Sequence, residues 1–334
     1  MAQAPPLLAI DDLVAVFDGP RGQLRAVDGL DLAMAGGEIL GLVGESGCGK
    51  SMTALSVLGL LPPPGRVAAG RILFEGQDLL ELPSRRLREL RGKAISMVFQ
   101  EPMTSLNPVF TVGRQVAEQV LAHEELGRKE AWSRAVDMLA RVGIPDPARR
   151  AGDFPHQLSG GLRQRVMIAM ALIMKPRLLM ADEPTTALDV TIQAQILGLM
   201  QDLQRQSGAS ILLITHNLAV VAQMADRVAV MYTGRILETA PVKELFAEPL
   251  HPYTRGLLSC LPARAPRPGM RLPTIPGIVP ALDELPPGCA FSDRCPERFG
   301  PCQKAEPALR EVAPGRLVRC YLHHHEQRRT RRAA

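Results

Sequence analysis

GESGCGKS, residues 44–51, decides how the rest of the chain is read. It fits Gly-x-x-x-x-Gly-Lys-Ser and stands between the right neighbours. The apolar run EILGLV at 38–43 feeds into it, and a helical pattern leaves it and continues to Leu61, where PPPG at 62–65 stops it. In such a loop the glycines let backbone N–H groups turn inward around phosphate oxygens, and the helix N-terminus adds a positive dipole end. The candidate cradle is Gly44, Glu45, Ser46, Gly47, Cys48, Gly49, Lys50, Ser51 and Met52. Lys50 is set to reach the β- and γ-phosphates, and Ser51 to place its hydroxyl on Mg²⁺. A glycine-rich turn that binds nothing is the alternative, and the strand–loop–helix context argues against it.

Two further stretches carry phosphate chemistry. LLMADE at 178–183 is an apolar strand ending in two acids. Asp182 at the strand end can hold Mg²⁺ through a water, and Glu183 is then placed to polarise an attacking water. LSGGLRQR at 158–165 puts Ser159, Gly160 and Gly161 at a helix start, followed by Gln164. That is a second anion-binding arrangement. One chain needs one cradle, so the second suits the nucleotide of another chain; by itself it would be read as a helix cap.

Strand and helix patterns alternate around these sites. Strands are expected at 7–17, 38–43, 71–74, 94–99, 178–181, 210–214 and 227–231, and helices at 189–205 and 218–224. This predicts an α/β fold with a parallel sheet covered on both faces, and residues 111–175 read as a helical insertion into it. After Pro249 the composition shifts. Pro252, Pro262, Pro266, Pro268, Pro273, Pro276, Pro280, Pro286 and Pro287 mark a loop-rich C-terminal unit.

The 334 residues are 46% hydrophobic, 22% charged and only 4% aromatic, with net charge +5. Scarce aromatics argue against a stacking platform for single-stranded nucleic acid. Much of the basic excess lies in RRTRR at 328–332, a solvated tail or, less often, a contact for anionic lipid or nucleic acid. The N-terminus has no basic start or apolar run, and no eighteen-residue apolar stretch exists, so a cytosolic chain without a membrane span is expected. In that compartment clustered cysteines bind metal more often than they form disulfides. Cys289, Cys295, Cys302 and Cys320 contain no Cys-x-x-Cys. Their loops suit an iron–sulfur cluster; zinc and plain buried thiols stay open. Cys260 reads as helical core, and HHH at 323–325 as a disordered end or a metal site.

Together these motifs resemble the ATP-binding cassette of ABC transporters over about residues 7–250. LSGGLRQR matches the family signature, Gln100 the Q-loop, TALD at 186–189, with Asp189, the D-loop, and His216 after ILLIT the switch histidine. The resemblance implies a RecA-like P-loop cassette with a parallel sheet core, an antiparallel β subdomain and a helical subdomain at about 102–175. It implies two cassettes head to tail, each ATP lying between one cradle and the other chain's signature. Glu183 would be the general base, His216 would contact the γ-phosphate, and Gln100 would sense Mg²⁺ and the attacking water. Phe17 lies where the family stacks an aromatic on adenine, with core packing as the alternative.

Within that family the chain more closely resembles the D-type ATPase subunits of dipeptide and oligopeptide importers. RQRVMIAMA at 163–171, QEPMTSLNP at 100–108 and HPY at 251–253, which opens a C-terminal extension over 251–334, carry this. It implies a [4Fe–4S] cluster on the four cysteines, a heterodimer with an F-type ATPase, two membrane permeases, an external peptide-binding protein, and a peripheral place on the cytoplasmic face of the inner membrane. Nucleic acid is not expected as a partner. Residues 100–113 would receive a permease's coupling helix. Three departures stand out: Cys48 where Ser or Ala is common, with possible thiol sensitivity, Met52 where a hydroxyl is common, and Asn217 where Asp follows the histidine. The alternative is a soluble ABC-type ATPase acting on nucleic acid or ribosomes.

Overall fold

The computed structural model describes residues 5–19, 22–100, 105–186, 188–261 and 273–324. Residues 101–104 of the QEPMTSLNP run, Ala187 of TALD, His325 and the basic tail lie outside them. In chain order the elements are β1 (Leu8–Gly19), β2 (Gly22–Met34), β3 (Ile39–Val43), α1 (Lys50–Leu58), β4 (Gly65–Phe74), β5 (Gln77–Asp78), α2 (Ser84–Leu90) and β6 (Ile95–Val98). The helices α3 (Val112–His123), α4 (Arg128–Arg141), α5 (Pro147–Arg150) and α6 (Gly160–Leu172) follow. The chain continues with β7 (Leu178–Asp182), α7 (Val190–Ser207), β8 (Ser210–Thr215), α8 (Leu218–Met224), β9 (Arg227–Tyr232) and β10 (Arg235–Pro241). It ends with α9 (Val242–Ala247), α10 (Pro252–Ser259), β11 (Arg310–Ala313) and β12 (Arg316–Val318).

These elements form two compact units. The first is Met1–Met34, Ile39–Leu80 and Ile214–Ala334. It holds an antiparallel sheet in the order β2-β1-β4-β5 and the strand series β11-β12-β10-β9-β3. Only the β3–β9 pair of that series is parallel, Leu40 facing Arg227 through Val43 facing Val230. All five residues of β3 are buried, which is why its sequence is a continuous apolar run with no alternation. The second unit, Ala35–Glu38 and Glu81–Leu213, pairs β6 in parallel with β7 and carries helices α2 to α7. No described helix is long and apolar enough to cross a membrane.

The C-terminal residues extend a sheet. Strand β12 pairs with β10, Glu238 facing Val318 and Thr239 facing Leu317, and β11 pairs with β12. Behind them Tyr232, Tyr253 and Phe291 pack ring against ring at 4.8–5.5 Å, with His251 5.8 Å from Phe291. All four side chains are buried. Aromatic burial and strand pairing supply the core that the loop-rich composition lacked.

His251 is the hinge of this packing. Its Nδ1 accepts the Tyr253 N–H at 3.0 Å and so caps α10, which leaves the proton on Nε2. Burial, then the positive Arg255, depresses its pKa to about 3. In the unfolded chain the ring takes a proton near pH 6.5, while in the folded chain it stays neutral. The stability it contributes is therefore present above pH 6.5 and is lost as pH falls toward 3. One proton per molecule costs about 2 kcal/mol between pH 6.5 and 5. His251→Asn keeps a capping oxygen, so its urea midpoint should fall less over that interval than the wild type's; equal slopes would refute the assignment.

Candidate functional site

In the first unit, the loop after β3 is held by two close approaches. Gly49 caps α1 at φ 105°, and a Cβ there would meet the Ala26 carbonyl oxygen at 2.2 Å. A Cβ on Gly44 would meet the Met231 carbonyl oxygen at 2.2 Å. Only glycine fits either place. Gly47, at φ 81°, has open space around it and is exposed with Ser46. The buried Lys50 turns its ammonium back onto the carbonyls of Gly44 and Glu45, at 2.8 and 3.0 Å. A glycine loop open at Ser46 and Gly47, a lysine at its floor and a helix N-terminus behind it fit a polyphosphate. Ser51 and Met52 follow Lys50 in the first turn of α1, half-buried.

Cys48 is fully buried, and burial pushes its thiol up despite the nearby Lys50. The thiol is enclosed and held protonated, which argues against the expected sensitivity to thiol reagents. Phe17 is half-buried on β1, opposite Gly65, where a Cβ would meet its ring at 2.6 Å. His216 is exposed after β8. Asn217 caps α8 by accepting the Ala219 N–H at 3.0 Å, a local task that Asn performs as well as Asp.

In the second unit, β7 delivers Asp182 buried at its end and turns at once to Glu183. Glu183 has φ 49°, a left-handed backbone rare for a residue with a side chain. The turn is closed by the Thr186 N–H to the Glu183 carbonyl at 3.2 Å, and the Thr186 hydroxyl donates to Glu183 Oε2 at 2.5 Å. Gln100 is exposed just past β6. Ser159 caps α6 through the Leu162 N–H at 3.4 Å. Gly160 is open and exposed, while a Cβ on Gly161 would meet Ile192 at 2.9 Å. Ile192 is in turn held by Asp189, which accepts its N–H at 2.9 Å and caps α7. The Gly-Gly pair thus has one glycine facing outward and one that lets α7 come close. Gln164 is buried, with its Nε2 lacking a hydrogen-bond partner.

The cysteine expectation is corrected. Cys289, Cys295, Cys302 and Cys320 line one pocket with His251, Phe291 and Leu322. Yet among the described residues no group of three or more His, Cys, Asp or Glu is placed to hold a metal ion. The iron–sulfur cluster, and zinc with it, is withdrawn. Burial pushes up the thiols of Cys289, Cys295 and Cys320, the last to about 12, so they stay protonated. Cys320 packs with Val318 and Leu322 against Leu250 and Phe299, as a small apolar residue would.

Sequence reasoning gave no role at the site to Arg294, and quoted Thr186 and Tyr253 only within motifs, without the contacts they make. Thr186 is three residues from Glu183 and its role is recoverable from its hydroxyl. The other two reach the cradle from more than 200 residues away, with nothing in the spacing to betray them.

A nucleotide cradle with an acid-terminated strand and a Ser-Gly-Gly helix start defines an ATPase of the ABC class. The comparisons agree. The ABC transporter family model matches residues 27–186, and that of the oligopeptide/dipeptide transporter C-terminal region matches residues 237–302. The chain is 52% identical to a probable peptide ABC transporter ATP-binding protein of Sinorhizobium fredii, covering 96% of each chain. It is 49% identical to the dipeptide transport ATP-binding protein DppD of Bacillus subtilis (95% of this chain, 94% of the relative). Among solved structures, the dimeric ATP-binding cassette MJ0796 with ADP and phosphate superposes with TM-score 0.64 at 25% identity, over 70% of this chain and 98% of that one. The chain belongs to the ATP-binding subunits of ABC transporters, within the group that carries the oligopeptide/dipeptide transporter C-terminal region. It is an ATP-binding, ATP-hydrolysing enzyme with the ABC cassette fold.

Proposed function

We propose that this chain powers the import of di- or oligopeptides across the cytoplasmic membrane, from a peripheral position on its cytoplasmic face. The observation that carries the reading is the union, in one chain, of a cassette and the oligopeptide/dipeptide transporter region, in relatives whose names give peptide transport. Residues 1–250 would be the ATPase domain, with 102–175 as its helical subdomain and 251–334 as its extension. The partners would be two membrane permeases, an external peptide-binding protein and a second, F-type ATPase. No relative named here supports the alternative of a nucleic-acid or ribosome ATPase.

In this reading, residues 44–52 hold the phosphates and Phe17 stacks on the base. Ser51, Gln100 and Asp182 would hold Mg²⁺, which when bound neutralises charge on the phosphates. Glu183 takes the proton of the attacking water, and His216 contacts the γ-phosphate. Ser159, Gly160 and Gly161, with Gln164 and Asp189, serve the nucleotide of the opposing chain. ATP closes the pair and hydrolysis opens it, which moves the attached permeases.

The test is reconstitution of the chain with the partner ATPase and permeases in proteoliposomes. Adding the binding protein loaded with a dipeptide should raise phosphate release several-fold and drive labelled dipeptide inward. Phosphate release that ignores the loaded binding protein but responds to RNA or ribosomes would defeat the proposal.

A further inference from the structure

Glu45 is an odd residue to find in a phosphate cradle, because a carboxylate there repels the ligand. The structure shows what offsets it. Arg294, from the cysteine-bearing loop of the extension, grips both carboxylate oxygens of Glu45, Nη1 to Oε2 at 2.7 Å and Nη2 to Oε1 at 3.0 Å. The Arg294 side chain is 6% exposed and that of Glu45 28%. The guanidinium is fixed from its other side as well. Its Nε donates to the Pro276 carbonyl at 2.9 Å, and Nη1 also reaches the Tyr232 hydroxyl at 3.4 Å. The rings of Tyr232 and Phe291 lie 5.8 and 5.9 Å from its central carbon.

The backbone of Glu45 is held too. Its N–H donates to the buried Tyr253 hydroxyl at 3.0 Å, and its carbonyl accepts from Lys50 at 3.0 Å. Residue 45 is thus fixed at its N–H, its side chain and its carbonyl, and two of the three anchors come from the extension. Lys50, the cation of the cradle, rests on the same peptide.

We propose that Arg294 is a positioning residue of the ATP site: it neutralises Glu45 and locks the first turn of the phosphate loop, which makes the C-terminal extension a working part of the nucleotide site. A planar fork is required for two parallel hydrogen bonds, which Lys cannot make. The inference rests on residues 44–51 being the ATP cradle.

The experiment measures Mg-ATP affinity and steady-state hydrolysis on the full chain. In Arg294→Met the Glu45 carboxylate is left uncompensated within the phosphate loop, so affinity and KM should worsen by about ten- to thirtyfold with kcat changed little. Adding Glu45→Gln to that variant removes the exposed charge and should recover most of the loss, while a residue that serves only the extension's fold would show no recovery. Arg294→Lys should remain impaired in KM. Wild-type affinity in a folded Arg294→Met, or no recovery in the double variant, overturns the clamp. Lys50→Ala separates the two ideas: if it binds ATP as the wild type does, the cradle itself is misassigned, whereas loss of binding there with a normal Arg294→Met refutes the clamp alone.

Discussion

Glu183→Gln should lower steady-state ATP hydrolysis about 10³-fold and leave ATP affinity within about twofold of the wild type. Gln keeps the shape of the side chain but cannot take a proton. The loss corresponds to about 4 kcal/mol of transition-state stabilisation. The local geometry around Glu183 supports this reading. Glu183 sits at φ 49°, a conformation that costs an L-residue about 1–2 kcal/mol. A turn would not adopt it where an ordinary conformation served, so the surrounding structure imposes it. The Thr186 hydroxyl, 2.5 Å from Oε2, sets the direction of the carboxylate. Thr186→Val should therefore slow hydrolysis by a smaller factor than Glu183→Gln, again with affinity kept. Phosphate release and nucleotide binding measured on the same preparations check both. If Glu183→Gln retains more than a tenth of the wild-type turnover, another group is the base.

The cradle was legible in the sequence because its chemistry is local. Gly44, Gly49 and Lys50 lie within seven consecutive residues, and each has a requirement that only its residue type meets: close approach to backbone at the glycines, a long cation at the lysine. The strands β3, β7 and β8 were legible for a similar reason, since burial on both faces writes a continuous apolar run. Strand β2 was not. GQLRAVDGLDLAM mixes charges with apolar residues, and its pairing with β1 is interrupted by register shifts, so strict alternation never builds up. Strands β11 and β12 were hidden as well, because four and three residues are too few for a period to show. The cysteines misled because their clustering along the chain is real and they do line one pocket, yet the local composition could not reveal that aromatic side chains and β10 supply the packing. A loop-rich unit examined by itself seemed to need a metal; the same residues joined to a sheet do not.

Glu238→Ala should cost about 3–5 kcal/mol of stability. Glu238 lies in the middle of β10, between Val230 and Val318 on its two neighbours, and is fully buried. Its two carboxylate oxygens accept the Leu250 N–H at 2.8 Å and the His251 N–H at 2.9 Å. Both donors stand at the start of α10, where the helix dipole also favours negative charge. Ala leaves both N–H groups without their acceptor and opens a cavity beside them. Glu238→Gln retains one acceptor oxygen, so its loss should be roughly half as large. Urea unfolding should show the midpoint falling in the order wild type, Gln, Ala with the slope unchanged. The same turn carries Tyr253, whose hydroxyl accepts the Glu45 N–H. Below its unfolding transition the Ala variant should therefore also bind ATP more weakly, as one strand residue governs how the extension meets the phosphate loop. An Ala variant within about 1 kcal/mol of the wild type, with unchanged ATP affinity, would show that water replaces the carboxylate and that this linkage carries no weight.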